Sequence, residues 1–216
     1  MATVFGLDTT EVRAESQRTI SALGGPVCDW LPWLDRTEPR SADSIIRRAL
    51  VMNALVQIHF GAPIAVIRGW IEHNSLVRDL SARESAILRK STVTEQESTD
   101  LSWTLEALWA LAWAGSFIAD IAIEQPVGDT LASFLPNLQV NESPDRFANA
   151  FRLRSAAEIY RKLDVYYLAH WYARDGQLRG RDTRPFSLDA IMERRKALEW
   201  ALDASIADWD DTPADT

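Results

Sequence analysis

Apolar side chains recur along most of this chain at intervals of three and four residues, the spacing of one face of an α-helix. No run longer than a few residues alternates apolar with polar as a half-buried strand would. The pattern predicts helices over about 9–23, 42–60, 63–74, 82–90, 95–118, 156–178 and 188–205. Start signals support it: Asp8, Ser81, Thr94 and Ser155 each have a Glu three residues on (Glu11, Glu84, Glu97, Glu158), the spacing of a capping box. Ser41 and Ser187 are further N-cap candidates, and Pro63 suits a first turn. Gly24-Gly25 stops the first helix. The segment PVCDWLPWLDRTEPR that follows is broken by its prolines. Pro126, Gly128, Pro136 and Pro144 divide Ile121 to Phe151, which has room for one or two short helices. The expected fold is all-α: a single-domain, irregular or orthogonal bundle of about seven or eight helices.

The 95–118 helix is apolar nearly all round, the mark of a central element. Leu101, Leu105, Leu108 and Leu111 form one face, and Trp103, Trp109, Trp113 and Phe117 another; Ala107, Ala110 and Ala114 make a strip that admits a close neighbour. A buried, Trp-rich central helix is therefore expected. The 156–178 helix carries the stripe Ile159, Tyr160, Leu163, Tyr166, Tyr167, His170, Trp171 and Arg174, with Asp164 at its margin and Glu158 on the far side. The last helix carries Leu188, Ile191, Met192, Leu198 and Leu202, with Arg195 near the centre and Glu199 one turn on.

Ionisable groups thus fall on apolar faces at Glu106, His170, Arg174 and Arg195. A buried charge needs a partner, because an isolated one costs several kcal/mol. Glu106, among three tryptophans, is expected to be mostly buried and paired with Arg195, Arg174 or His170, in that order. Two readings follow. One is an ion-pair network that fixes helix register. The other is a polar site in a cleft between the 95–118, 156–178 and 188–205 helices, with Glu106 or Asp164 as base, His170 as acid or base, and the arginines holding an anion.

Charge changes the picture of partners. The 216 residues carry a net −8, but from Arg146 to Lys196 twelve Arg or Lys stand against six Asp or Glu, a local +6 that leaves −14 elsewhere. Asp203, Asp208, Asp210, Asp211 and Asp215 mark an acidic C-terminal tail over 203–216. The balance argues against non-specific nucleic-acid binding and suits a basic protein partner. A non-enzymatic protein-binding module, with an immunity-type neutralising role as one form, is the leading expectation; an enzyme or small-ligand binder is the alternative. The N-terminus has no basic region followed by an apolar run, so no secretory signal and a cytoplasmic location are expected. Glu106 and three Trp within Leu101–Ala119 argue against a membrane span.

No cofactor or metal is expected. The residues three before His59, His73 and His170 are Val56, Trp70 and Tyr167, so no di-iron Glu-x-x-His motif exists. There is no His-Glu-x-x-His, no Gly-Lys-Ser/Thr phosphate loop and no Gly-x-Ser-x-Gly elbow. The lone Cys28 reads as a packing residue, with a nucleophile as the alternative; the arginines at 174, 179, 181 and 184, with Asp175 and Asp182 among them, read as a solvated turn, with a site for phosphate or an acidic partner as the alternative.

Four blocks carry a family resemblance: RSADSIIRRALVMNALV near residue 40, SWTLEALWALAWA from Ser102, LRSAAEIYRKLDVYYLAHW from Leu153, and MERRKALEWAL followed by WDD. From about Pro26 to the end the chain resembles the bacterial domain-of-unknown-function family numbered 4272. The resemblance implies a helical fold and no mechanism.

Overall fold

The computed structural model describes residues 3–213, so Asp215 of the expected acidic tail lies outside the described residues. The fold is all-α. A hairpin of β1 (Thr3–Val4) and β2 (Leu7–Asp8) precedes α1 (Thr9–Ala22), α2 (Ala42–His59), α3 (Ile64–His73), α4 (Ala82–Leu88), α5 (Glu95–Ala114), α6 (Leu131–Phe134), α7 (Asp145–Ala150), α8 (Ala156–Leu178) and α9 (Leu188–Leu202). The hairpin turns through Phe5 and Gly6, both at positive φ.

The start signals work in part: Ser187 precedes α9 but makes no side-chain cap bond, and Asp8 and Glu11 form no complete box. Ser81–Glu84, Thr94–Glu97 and Ser155–Glu158 form complete capping boxes, while Asp8 and Ser41 cap α1 and α2 through single bonds to Thr10 N and Ser44 N. In space α1 packs on α8, α8 on α9, α9 on α5, α5 on α2 and α2 on α3. The buried apolar side chains of all these helices form one cluster. Two stretches are buried all round: Arg48–Val56 of α2 and Ala107–Ala114 of α5. α2 is therefore as deeply placed as α5.

α5 stops at Ala114, earlier than the expected 118, because Gly115 caps it and the chain turns through Ser116 at φ 63°. The glycine is needed for space. A Cβ there would stand 2.3 Å from the Phe151 ring, inside the cluster where Phe117 stacks on Phe147 at 4.9 Å.

The segment read as an acidic tail folds back over the helices, at least to Pro213. Trp209 meets Trp200 edge to face at 5.7 Å, and Arg48 and Lys196 lie 5.2 and 4.6 Å from its ring. The acids beside it have structural partners: Asp208 and Asp210 accept from the backbone N–H groups of Ala82 and Arg83 at the start of α4, each at 3.1 Å. Negative charge is favourable there because those N–H groups have no partner within the helix.

Gly115→Ala should destabilise the protein by about 1–3 kcal/mol, the usual cost of overpacking. Urea unfolding measures it; an unchanged midpoint would mean that Phe151 moves aside freely.

Candidate functional site

Of the polar residues selected by helical face, His170 and Arg195 come together, while Glu106, Asp164 and Arg174 have partners outside the set. Glu106 pairs with Arg194, not with Arg195, Arg174 or His170: Arg194 Nε donates to Glu106 Oε2 at 2.7 Å. The Arg194 side chain is 1% exposed and that of Glu106 14%, so Glu106 is mostly buried as expected. The correction of one residue has a geometric cause. α9 lies between α5 and α8, and adjacent helical residues point about 100° apart. Arg194 faces α5, while Arg195 faces α8. Arg194 also donates to the Ala122 and Gln125 carbonyls at 2.9 and 2.7 Å and to the Tyr166 hydroxyl at 3.1 Å, which itself donates to Ile121 O at 3.0 Å.

Arg195 Nη1 lies 2.7 Å from His170 Nδ1. A guanidinium can only donate, so Nδ1 accepts and the imidazole proton sits on Nε2. Arg195 also meets Glu199 at 3.2 Å, the local pair that the sequence suggests. Asp164 is buried and binds Arg13, which donates from Nε at 3.1 Å and lies within 3.0 Å through Nη2. Arg13 further donates to Leu31 O and Pro32 O. Tyr167 stands between these groups, 4.8 Å from the Arg195 guanidinium and 5.9 Å from that of Arg13.

Arg174, expected on the interior stripe of α8, is exposed and bonds Gln177. The buried face drifts instead to Ala169, Ala173 and Gly176. The 180–186 turn folds over Gly176, where a Cβ would stand 2.1 Å from the Thr183 methyl. The remaining basic segment is largely neutralised on the spot: Arg154, Arg161, Lys162, Arg179, Arg181 and Arg184 all pair with carboxylates.

What opens to solvent is a cleft of about 380 Å³ between α8, α9 and the irregular segment after α1. Of the five residues selected from the sequence, Arg195 lines it. Trp33, Tyr160 and Tyr167 give it aromatic walls, and Asp35, Glu199 and Asp203 give it carboxylates. Burial raises the pKa of both tyrosines, so their walls stay uncharged, and Tyr160 donates to Leu34 O at 3.1 Å. Trp33, in its lining, is 51% exposed; Trp30, three residues earlier in the same segment, is 66% exposed and propped edge-on against Trp171 at 5.1 Å. Arg13 lies 4.8 Å from the Trp33 ring. Cys28, in the same segment, is buried, and burial pushes its thiol up and away from reactivity.

Residues 13–212 match the family described as a domain of unknown function, DUF4272. The chain belongs to that family. No curated protein and no solved structure matches it. Within this DUF4272 chain, no group of three or more His, Cys, Asp or Glu among the described residues is placed to hold a metal ion. No helix among them is long and apolar enough to cross a membrane.

The face reading missed Arg13, Arg48 and Arg194. A signal existed for the first: the buried positions of α1 are Thr9, Val12, Arg13, Ser16 and Ile20, a helical stripe that runs through the arginine.

Glu106→Ala leaves the Arg194 charge buried without its anion and should cost about 3 kcal/mol, the low end of such losses because neutral acceptors remain. Glu106→Gln should cost less, since it keeps an acceptor. Urea unfolding compares the three proteins; a loss below about 1 kcal/mol in the alanine variant would show the pair to be dispensable.

Tyr166 provides a second test. Burial pushes its pKa up to about 12. The folded state then holds a proton that the unfolded chain releases near pH 10, so this stabilisation is intact below pH 10 and lost as pH rises towards 12. Tyr166→Phe should flatten the decline in stability across that window. Ultraviolet titration of phenolate in the folded wild type should show one tyrosine ionising last, and loss of that late step in Tyr166→Phe identifies it.

Proposed function

We propose that this protein is a non-enzymatic binding module that docks a basic protein partner through the cleft edge at Trp30 and Trp33. The observation that carries the reading is the exposure of Trp33 beside three carboxylates, Asp35, Glu199 and Asp203, with a second exposed tryptophan, Trp30, three residues before it in the same segment. Large exposed aromatics are costly to leave in water and are typical anchors of protein interfaces. Among the described residues Arg195 is the one cation lining the cleft, and it is already paired with Glu199. The remaining field is negative, which steers a cationic surface and disfavours an anionic one. The net charge of −8 acts in the same direction. An immunity-type role, neutralising a basic toxin, is one specific form of this activity.

The buried ion pairs fit the same reading. His170, Asp164 and Arg195 have partners within the fold, and their hydrogen bonds set the walls that hold Tyr167 and Trp33.

The test is affinity capture from a native extract at low salt, with the wild type and a Trp30→Ser, Trp33→Ser variant side by side. A basic protein should be retained in stoichiometric amount by the wild type and released by raised salt. The variant should bind it about thirtyfold more weakly or worse, the size of a 2 kcal/mol anchor. Equal recovery by both proteins would defeat the reading.

A further inference from the structure

On another side of α9 lies a smaller cavity of about 130 Å³, where the start of α2, the 3-10 turn Val77–Asp79 and the C-terminal segment meet. Three arginines line it, Arg40, Arg48 and Arg78, together with the Ser44 hydroxyl; its carboxylates are Asp79 and Asp208. Both carboxylates are engaged. Asp79 receives Arg47 Nε on its two oxygens, each at 3.0 Å, and Asp208 caps Ala82 N at 3.1 Å and Asp210 N at 2.9 Å.

The arginines have bonding capacity left. Arg48 is 2% exposed; it gives Nη2 to Glu84 and Nη1 to Asp79 O at 3.0 Å, and its Nε, itself sealed from solvent, has no hydrogen-bond partner among the described residues. A buried N–H without an acceptor is costly, and in native proteins such a group often marks a bound ion or water. Arg40 donates to the Trp200 carbonyl at 2.8 Å and to that of Ile206, and its guanidinium lies 3.9 Å from the Trp200 ring. Among the described residues neither Arg40 nor Arg78 is in an ion pair. Burial lowers the pKa of Arg40, with Asp203 opposing at longer range, so its charge is under-compensated where it stands. Arg78 is exposed at the rim.

We propose that this cavity is a binding site for a phosphate-class oxyanion, held by Arg40, Arg48 and Arg78. The volume admits a tetrahedral anion together with several waters. Guanidinium groups match such anions through paired N–H donors, and the Ser44 hydroxyl adds a neutral donor. The anion would tie the C-terminal segment, which contributes Asp208 and Trp209 to the wall, to α2. The site is separate from the cationic-partner cleft, and its chemistry is opposite in sign.

The experiment titrates inorganic phosphate into the full chain by calorimetry. Thermal unfolding is followed in parallel at fixed ionic strength, with phosphate replacing chloride. Saturable one-to-one binding and a Tm that rises with phosphate are expected. Arg78→Gln should weaken binding about tenfold, the effect of losing one charged hydrogen bond, and leave the Tm without phosphate unchanged. Arg181→Gln, on a distant turn, should change nothing. Methyl phosphate separates two sources of the same chemistry: binding with comparable affinity supports a phosphomonoester, and exclusion supports the free anion. A Tm that responds to phosphate no more than to chloride, absence of saturation, or undiminished binding by Arg78→Gln would overturn the site. In that event the cavity is a wet crevice.

Discussion

Among the described residues, four guanidiniums lie inside this helical protein, at Arg13, Arg48, Arg194 and Arg195, and the arrangement of the chain around them follows from what they require. A guanidinium carries five N–H donors and stays charged at any ordinary pH. Burial is tolerable when a carboxylate balances the charge and acceptors take the remaining donors. Arg13 has Asp164, Arg48 has Glu84, Arg194 has Glu106 and Arg195 has Glu199. The further acceptors come mainly from backbone outside the helices: Leu31 and Pro32 for Arg13, Asp79 for Arg48, Ala122 and Gln125 for Arg194. Carbonyls in irregular segments have no ladder or helix to satisfy them. Each buried arginine therefore answers two needs at once, its own and that of a loop. This is why segments broken by Pro26, Pro32, Pro126 and Pro136 can pack on the core rather than project from it.

The same requirement sets the register of α8 and α9. Tyr166 and Tyr167 are adjacent on α8 and serve different arginines: the Tyr166 hydroxyl receives Arg194, and the Tyr167 ring lies beside Arg195. Arg194 and Arg195 are likewise adjacent on α9. A rotation of α9 by one residue that set Arg194 against His170 would set Glu193 against Glu106, like charge against like. The surrounding carbonyls at Ala122 and Gln125 would then lose their donor. Buried polar pairs contribute little net stability compared with well-packed apolar groups, but wrong pairings are expensive. What the pairs contribute is specificity of packing.

The helices were legible in the sequence because their evidence is local. Periodicity and capping boxes act within a few residues, and the three boxes at Ser81, Thr94 and Ser155 form as spaced. Partner choice was not legible, because it depends on which side of α9 meets α5. A single stripe was assigned to α9, whereas a helix between two others buries two faces, and the second face holds Arg194. Arg174 fails for a related reason. Its place on the stripe is sound as long as α8 is covered along its whole length, and the close fit of Gly176 under Thr183 turns the last buried face elsewhere. The acidic C-terminal segment was read by composition alone, which registers charge but not that Asp208 and Asp210 reach the start of α4.

A search for function by helical face is bound to select groups that the fold consumes. Residues on an apolar face are there to be buried, and a buried charge is paired before any ligand arrives. Asp164 and His170 illustrate this, being fully enclosed and bonded to Arg13 and Arg195. Groups left for a partner stand where the fold has no use for them. Asp35 and Trp33 are exposed on a segment without regular structure, where no periodicity could mark them. They become a candidate surface because Arg13 draws the Leu31 and Pro32 carbonyls inward, which holds the next residue, Trp33, at the mouth of the cleft. The buried network and the exposed edge are thus connected as cause and consequence: the ion pair at Asp164 supports the cleft edge from beneath without being part of it.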